Sequence, residues 1–177
     1  MDLWVFGYGS LIWNPGIAVA ETVRATLTGY HRSYCMWSIH HRGSEAEPGL
    51  VLALEPAPDA VCEGVAIRAS EPEAALAALR EPELISSAYR EETVTLAAAD
   101  GRAIEAITYV MDVAHPQYAA GLDLARQAEI IAHAVGGRGP NHEYLSSSVA
   151  ALEGIGVHDA DLLRLDAMVR RIRDTGA

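Results

Sequence analysis

The order of the periodic segments limits the fold of this chain more than any other feature of its sequence. Strand-like segments, rich in β-branched and aromatic residues, fill the first part of the chain, and apolar residues at helical spacing fill the last part. Strands joined as hairpins and then followed by consecutive helices are typical of an α+β fold. We therefore predict an α+β fold with a mostly antiparallel, barrel-like sheet and flanking helices.

Five segments have the composition of β-strands. Asp100-Gly101 is a strong turn signal between the last two, so these are predicted to form a hairpin. Residues 56–60, which contain two prolines, are predicted to form the loop of another hairpin. The predicted strands are 3–8, 50–55, 61–69, 93–98 and 103–112.

The remaining periodic segments predict helices. Residues 71–84 are rich in Ala and Leu, with Pro72 allowed in the first turn and Pro82 ending the helix just before Glu83. Asn141 is a candidate N-cap for a later helix. Apolar residues at helical spacing predict three more amphipathic helices, over 124–135, 144–152 and 162–172.

Length, charge and cysteine usage restrict the classes of function. A chain of 177 residues fits one domain, so a single domain is predicted over residues 1–177. The formal net charge of −11 argues against a nucleic-acid partner, whose phosphates would be repelled. No apolar run approaches the roughly 20 residues of a membrane-spanning helix, so we expect a soluble chain without a signal peptide or a membrane partner. Cys35 and Cys62 lie in apolar segments without a Cys-x-x-Cys pattern, which predicts buried thiols and a cytoplasmic location.

The opening stretch VFGYGSLIWNPG raises a choice between two interpretations. Gly7 and Gly9 allow the backbone to turn with a positive φ or to approach a ligand closely, and successive amide groups in such a bend can bind an anion. The alternative is an ordinary exit from a strand. A metal centre is not expected, because adjacent His40 and His41 would point to opposite faces of a strand and His31 completes no ligand pattern.

The opening stretch resembles the signature of the ChaC family of γ-glutamylcyclotransferases, in which a Tyr-Gly-Ser-Leu loop binds the γ-glutamyl group. Further segments follow in the order typical of that family: HRGS (41–44), PGLVLALE (48–55), ELISSAY (83–89), AITYVMD (106–112), HPQY (115–118) and NHEYL (141–145). The resemblance implies a carbon–nitrogen lyase that cleaves glutathione, a small-molecule substrate, to 5-oxoproline and Cys-Gly without a cofactor or metal. It also implies the substrate-binding loop Gly7, Tyr8, Gly9, Ser10 and Leu11.

The chemistry of a cyclotransferase accounts for the absence of a convincing protein nucleophile. The α-amine of a γ-glutamyl peptide can attack its own γ-carbonyl, so the reaction needs a base for that amine and a proton for the departing amine. Family members place their catalytic glutamate six residues before a tyrosine, which corresponds to Glu83 before Tyr89. Glu81 is the rival, although the apolar neighbours of Glu83 favour a raised pKa there.

For Arg42 and Tyr144, the sequence allows either a role in the site or a purely structural role. Arg42 can bind a substrate carboxylate through its forked guanidinium, or it can be a surface charge after a strand. Tyr144 can present its hydroxyl to the ligand, or it can be a core aromatic on a helix. For the whole chain, the alternatives are a cyclotransferase for other γ-glutamyl compounds and a non-catalytic protein that binds a γ-glutamyl or amino-acid ligand.

Overall fold

The computed structural model describes residues 2–81 and 87–176. Within these residues, seven strands and five helices follow one another along the chain. They are β1 (Trp4–Gly7), α1 (Ser10–Trp13), β2 (Val19–Ser38), β3 (Gly49–Ala69), α2 (Pro72–Leu79), β4 (Tyr89–Ala98), β5 (Ala103–Met111), α3 (Leu124–His133), β6 (Val135–Gly136), β7 (Gly139–Pro140), α4 (Asn141–Gly154) and α5 (Ala160–Asp174).

The chain divides into two compact units. The first unit, Met1–Ser33 with Ala53–Pro116, contains β1, α1, α2, β4, β5 and the larger parts of β2 and β3. The second unit, Tyr34–Leu52 with Gln117–Ala177, contains the remaining parts of β2 and β3 together with β6, β7, α3, α4 and α5. A single domain over residues 1–177 stays a prediction.

Five strands form a closed barrel in the order β1–β3–β2–β4–β5. Strand β3 is antiparallel to β1, and β4 is antiparallel to both β2 and β5. Parallel pairs join β5 to β1 and to β3. Val5, Ala66 and Val110, one from each of three barrel strands, are completely buried. The predicted α+β fold with a mostly antiparallel, barrel-like sheet is confirmed.

The predicted hairpin around Asp100-Gly101 is present. β4 and β5 pair from Tyr89↔Met111 to Ala97↔Ala103, and the turn lies between them. Gly101 has a φ of 95°, in the left-handed region that glycine adopts without steric cost. The Asp100 carboxylate accepts a hydrogen bond from the backbone N–H of Arg102 at 3.1 Å, so local side-chain chemistry supports the turn.

The predicted hairpin loop at residues 56–60 is wrong, because Gly49–Ala69 is one continuous strand. Pro56 and Pro58 are both exposed, and a proline is tolerated in a strand where its missing N–H does not interrupt a ladder. None of the five predicted strands lies within β2, which has 20 residues. Both cysteines are buried thiols without a disulfide bond, as predicted.

The helices follow the predicted order, with one boundary in error. α3, α4 and α5 lie where the apolar spacing predicts them, and Pro72 lies in the first turn of α2. However, α2 ends at Leu79 and not just before Glu83, because the backbone N–H of Arg80 closes the last turn on Leu76 and Ala78. Throughout residues 2–81 and 87–176, every helix is too short or too polar to cross a membrane.

Asn141 attaches α4 to β3 within the second unit and is not the N-cap that the sequence predicts. Pro140 occupies the N-cap position, and Asn141 is the first residue of the helix. Its completely buried amide donates to the carbonyl of Leu50 and accepts from the N–H of Leu50, each at 2.8 Å. The side chain thus takes the place of a neighbouring strand, satisfying both backbone groups of one residue.

We expect Asn141→Ala to lower the free energy of unfolding by roughly 2–4 kcal/mol, since it leaves a buried donor and a buried acceptor of Leu50 unpaired. Equilibrium unfolding in urea measures this loss. Asn14→Ala is the control, because Asn14 is exposed, and its effect should stay within about 0.5 kcal/mol. An Asn141→Ala protein as stable as the control would show that the two hydrogen bonds do not anchor α4.

Candidate active site

The predicted substrate-binding loop lies where β1 meets α1 in the first unit. Gly7 is the last residue of β1, Tyr8 and Gly9 follow it, and Ser10 and Leu11 begin α1. The carbonyl of Gly9 accepts a hydrogen bond from the N–H of Ile12 at 3.0 Å, which closes the helical turn. Neither glycine uses the positive φ that the sequence analysis considered, and Gly9 has a φ of −150°.

Close packing accounts for the glycine at position 7. A Cβ there would lie 3.2 Å from Val65 Cγ2 and 3.3 Å from Ile67 Cδ1, tighter than ordinary contacts. Gly64 shows the same constraint from the opposite strand, since its Cβ would collide with the carbonyl oxygen of Gly7. β1 and β3 therefore approach closely where the loop begins, which excludes a Cβ at position 64 and leaves little space for one at position 7.

Tyr8 is held from its side chain and from its backbone. The residue is 8% exposed, and its hydroxyl donates to the carbonyl of Tyr109 at 3.1 Å. Its own carbonyl accepts a hydrogen bond from Arg32 Nη1 at 2.9 Å. The same nitrogen of Arg32 donates to the carbonyl of Glu63 at 2.8 Å, and Arg32 is only 6% exposed. The loop is thus fixed by a buried guanidinium.

The candidate base Glu83 lies outside the described residues, but the chain on either side of its segment is anchored. Before it, Arg80 binds Glu91 through two hydrogen bonds of 2.9 and 2.7 Å. After it, the carbonyl of Ala88 accepts from the N–H of Asp112 at 2.7 Å. The rival Glu81 is exposed, and its N–H donates to the carbonyl of Ala78 at 3.3 Å.

The Arg80–Glu91 ion pair extends to Tyr109, which also supports Tyr8. The hydroxyl of Tyr109 donates to Glu91 Oε1 at 3.0 Å. The hydrogen bond from Arg80, and then that from Tyr109, hold the pKa of the Glu91 carboxyl below its ordinary value although partial burial opposes them. Burial and the nearby Glu91 carboxylate raise the pKa of Tyr109 well above its ordinary range, so this hydroxyl stays protonated.

Arg42 lies in the second unit, on a loop with tightly packed glycines. Its Nη1 donates to the carbonyl of Pro140 at 3.1 Å, and its backbone N–H donates to Ser38 Oγ at 3.0 Å. A Cβ on Gly136 would lie 2.5 Å from the backbone nitrogen of Arg42, so the hairpin of β6 and β7 presses on this loop. Arg42 is thus half-buried, with partners for both its backbone and its guanidinium, while its part in a site stays a prediction.

Tyr144 packs beside Arg42 in the same unit. The guanidinium carbon of Arg42 lies 5.8 Å from the centre of the Tyr144 ring, within the range of a cation–π contact. The Tyr144 hydroxyl accepts a hydrogen bond from the N–H of Leu52 at 3.2 Å, and its ring packs edge-on against Tyr34 at 6.0 Å. With 7% exposure, Tyr144 has the contacts of the core interpretation, while its part in a site stays a prediction.

A buried tyrosine supports this second group of residues. Burial raises the pKa of the Tyr34 hydroxyl well above its ordinary value, and the neighbouring Tyr144 and Asp166 raise it further. Tyr34 is therefore neutral at physiological pH and does not serve as a base.

The histidines do not lie as predicted. β2 ends at Ser38, so His40 and His41 are not on a strand; they follow it, and their carbonyls accept hydrogen bonds from Gly137 and Arg138. In the part of the chain that the structure describes, no group of three His, Cys, Asp or Glu side chains has the arrangement of a metal site.

Sequence reasoning missed Arg32, although the sequence contains a signal for it. Arg32 has the same parity along β2 as Tyr34 and Met36, which are both buried. A charged residue at an inward position of a strand must find partners inside the protein, because an unpaired buried charge is very costly. This signal depends on assigning residues 32–36 to a strand, and no strand was predicted there.

We expect the stability contribution of Glu91 to depend on pH. A carboxyl with a depressed pKa stabilises the fold above its ordinary pKa of about 4.3, and this stabilisation disappears as the pH falls through the lower folded value. Glu91→Gln should therefore cost about 1 kcal/mol near neutral pH and progressively less on acidification. Glu92→Gln is the control, since Glu92 lies 3.8 Å from Arg90 without a forked contact. Urea unfolding over a pH series measures the stability of each variant. A loss of stability in Glu91→Gln that stays equally large in acid would contradict this prediction.

Comparison with known proteins identifies the family. The model of the ChaC-like protein family matches residues 3–172. A glutathione-specific γ-glutamylcyclotransferase of Escherichia coli (strain K12) is 36% identical over 96% of this chain and 74% of the relative. γ-Glutamylcyclotransferase 2-3 of Arabidopsis thaliana is 34% identical over 97% of this chain and 90% of the relative.

A solved structure has the same fold. The crystal structure of a γ-glutamyl cyclotransferase specific to glutathione from yeast superimposes with a TM-score of 0.87 at 22% identity, covering 96% of both chains. The family match over nearly the whole sequence and the two relatives above 30% identity lead to one conclusion: the chain belongs to the ChaC-like family.

Proposed function

We propose that this chain is a γ-glutamylcyclotransferase, a carbon–nitrogen lyase that converts glutathione to 5-oxoproline and Cys-Gly. The observation that carries the proposal is the similarity to the Escherichia coli relative of that specificity, which extends over 96% of this chain. The anchored Gly7–Leu11 loop supports it, because a rigid loop of backbone amides suits an anionic amino-acid end group.

The reaction needs few groups from the protein. The glutamyl α-amine attacks the γ-carbonyl, so a new C–N bond closes the five-membered lactam while the bond to the cysteine nitrogen breaks. In this proposal, Glu83 accepts the proton that the attacking amine loses and returns it to the departing amine of Cys-Gly. No water is consumed, and the atoms of glutathione account for both products.

The proposal assigns a separate role to each predicted site residue. Gly7, Tyr8, Gly9, Ser10 and Leu11 form the loop that binds the γ-glutamyl group. Arg42 is proposed to bind a substrate carboxylate, supported by its fixed guanidinium, and Tyr144 supports the Arg42 side chain through its ring. The cytoplasmic location remains a prediction.

We expect Glu83→Gln to reduce kcat by at least about 100-fold while KM for glutathione changes little, since the shape of the residue survives and its proton transfer does not. Release of 5-oxoproline by the purified protein gives both constants. Glu81→Gln, two residues away, is the matched control and should retain near-normal turnover. The opposite pattern, with loss only in Glu81→Gln, would transfer the role of base to Glu81.

Oxygen-labelled water distinguishes cyclisation from hydrolysis. Because the α-amine is the nucleophile, 5-oxoproline formed in labelled water should contain no solvent oxygen. Mass spectrometry of the products measures this directly. Free glutamate containing the label would instead show a hydrolase, and binding of glutathione without any product would show a non-catalytic binding protein. Turnover of other γ-glutamyl peptides but not of glutathione would correct the substrate.

A further inference from the structure

The first unit contains a buried arginine that no step of the proposed reaction uses. Arg32 is 6% exposed, and one of its terminal nitrogens donates to two backbone carbonyls, those of Tyr8 and Glu63. We propose that Arg32 is a positioning residue that fixes the peptide between Tyr8 and Gly9, so that the Gly9 N–H is presented to the γ-glutamyl end of the substrate. This inference rests on the proposed function.

Arg32 binds the chain just beyond the end of the ladder between β1 and β3. The strands pair antiparallel from Trp4↔Arg68 to Gly7↔Val65, and the same register continued for two residues would place Gly9 opposite Glu63. The ladder stops at Gly7 instead. Arg32 binds the carbonyls of Tyr8 and Glu63 just beyond this last pair, so its guanidinium connects the end of β1 to β3 where the backbone ladder no longer does.

The geometry of the peptide bond then fixes the direction of the Gly9 N–H. The described residues contain no cis peptide, and in a trans peptide the carbonyl and the following N–H point in opposite directions. Because the Tyr8 carbonyl points at Arg32, the Gly9 N–H points away from it. The carbonyl of Gly9 is fixed in turn by Ile12 at 3.0 Å, which sets the direction of the Ser10 N–H.

Glycine makes this fixation necessary. A peptide that adjoins glycine can rotate more freely than others, since glycine has the widest choice of backbone angles. Rotation of the Tyr8–Gly9 peptide would replace an N–H donor with a carbonyl oxygen, which repels a substrate carboxylate. A charged donor that holds the carbonyl in place opposes this rotation more strongly than a neutral one.

The geometry also explains why the residue is an arginine. A single Nη1 carries two N–H groups, which reach carbonyls on two different segments of chain. A lysine at position 32 would end one atom short of that nitrogen and could not reach both carbonyls without a shift of the strand. Lysine is therefore not an equivalent replacement here.

The test compares steady-state kinetics of Arg32→Lys and Arg32→Met with those of Arg24→Met. Arg24 lies on the same strand, is about half exposed, and pairs with the Glu63 carboxylate at 4.0 Å, so it controls for loss of charge. With glutathione as substrate, both Arg32 variants should raise KM at least about tenfold, the effect of losing one well-placed hydrogen bond, while kcat falls much less. Arg24→Met should stay within about twofold of the original protein.

A second measurement separates positioning from a general loss of structure. Removing the side chain in Arg32→Ala leaves space for a small guanidinium, so added methylguanidinium should lower the raised KM of this variant. It should leave Arg24→Ala unchanged, and circular dichroism reports whether each variant is folded. Binding of 5-oxoproline should weaken in parallel with the rise in KM.

The outcomes are distinct. Folded Arg32→Lys with an unchanged KM would overturn the inference, as would a loss confined to kcat. A raised KM in Arg32→Ala that methylguanidinium does not lower would also contradict positioning by the guanidinium. If the original protein releases no 5-oxoproline, the proposed function is wrong, and this inference is lost with it; normal activity of the original protein with unaffected Arg32 variants would overturn the inference alone.

Discussion

The antiparallel ladder between β1 and β3 is the interaction on which the candidate site depends. The two strands lie so close together that position 64 has no space for a Cβ and position 7 has little. The ladder stops at Gly7, Arg32 donates a hydrogen bond to the carbonyl of the next residue, and the chain then enters α1. The loop between β1 and α1 is thereby anchored at the Tyr8 carbonyl by a buried side chain. Rigid backbone donors cost little reorganisation when a ligand binds.

The second unit also uses side chains to join two segments of backbone. On α4, Asn141 and Tyr144 lie one turn apart and bind the backbone of Leu50 and Leu52, two residues apart on β3. The helical spacing of three residues and the strand spacing of two thus match across this contact. The same helix places the Tyr144 ring beside Arg42, so the packing that secures α4 also holds the guanidinium.

The sequence predicted the elements whose signals are local. Asp100-Gly101 defines its turn with its own atoms, and the apolar spacing of α3, α4 and α5 needs no knowledge of neighbours. The errors lie where a neighbour decides the outcome. Residues 56–60 were predicted to form a loop because they contain two prolines. The strand tolerates these prolines because both are exposed, and that exposure is known only from the folded structure. Asn141 was predicted to be an N-cap because its actual partner, Leu50, lies 91 residues away and cannot be recognised from the local sequence.

The same difference between local and distant signals applies to the candidate site. The loop from Gly7 to Leu11 was found from a short motif, but its support by Arg32 and Tyr109 depends on residues 24 and 101 positions away from Tyr8. Such partners leave only faint traces in one sequence, such as a charge at an inward strand position. An intramolecular reaction needs few catalytic groups from the protein, because the substrate supplies its own nucleophile and the protein must mainly hold it in place. For such an enzyme, the groups that keep the backbone rigid determine the geometry of catalysis as much as the residue that moves the proton.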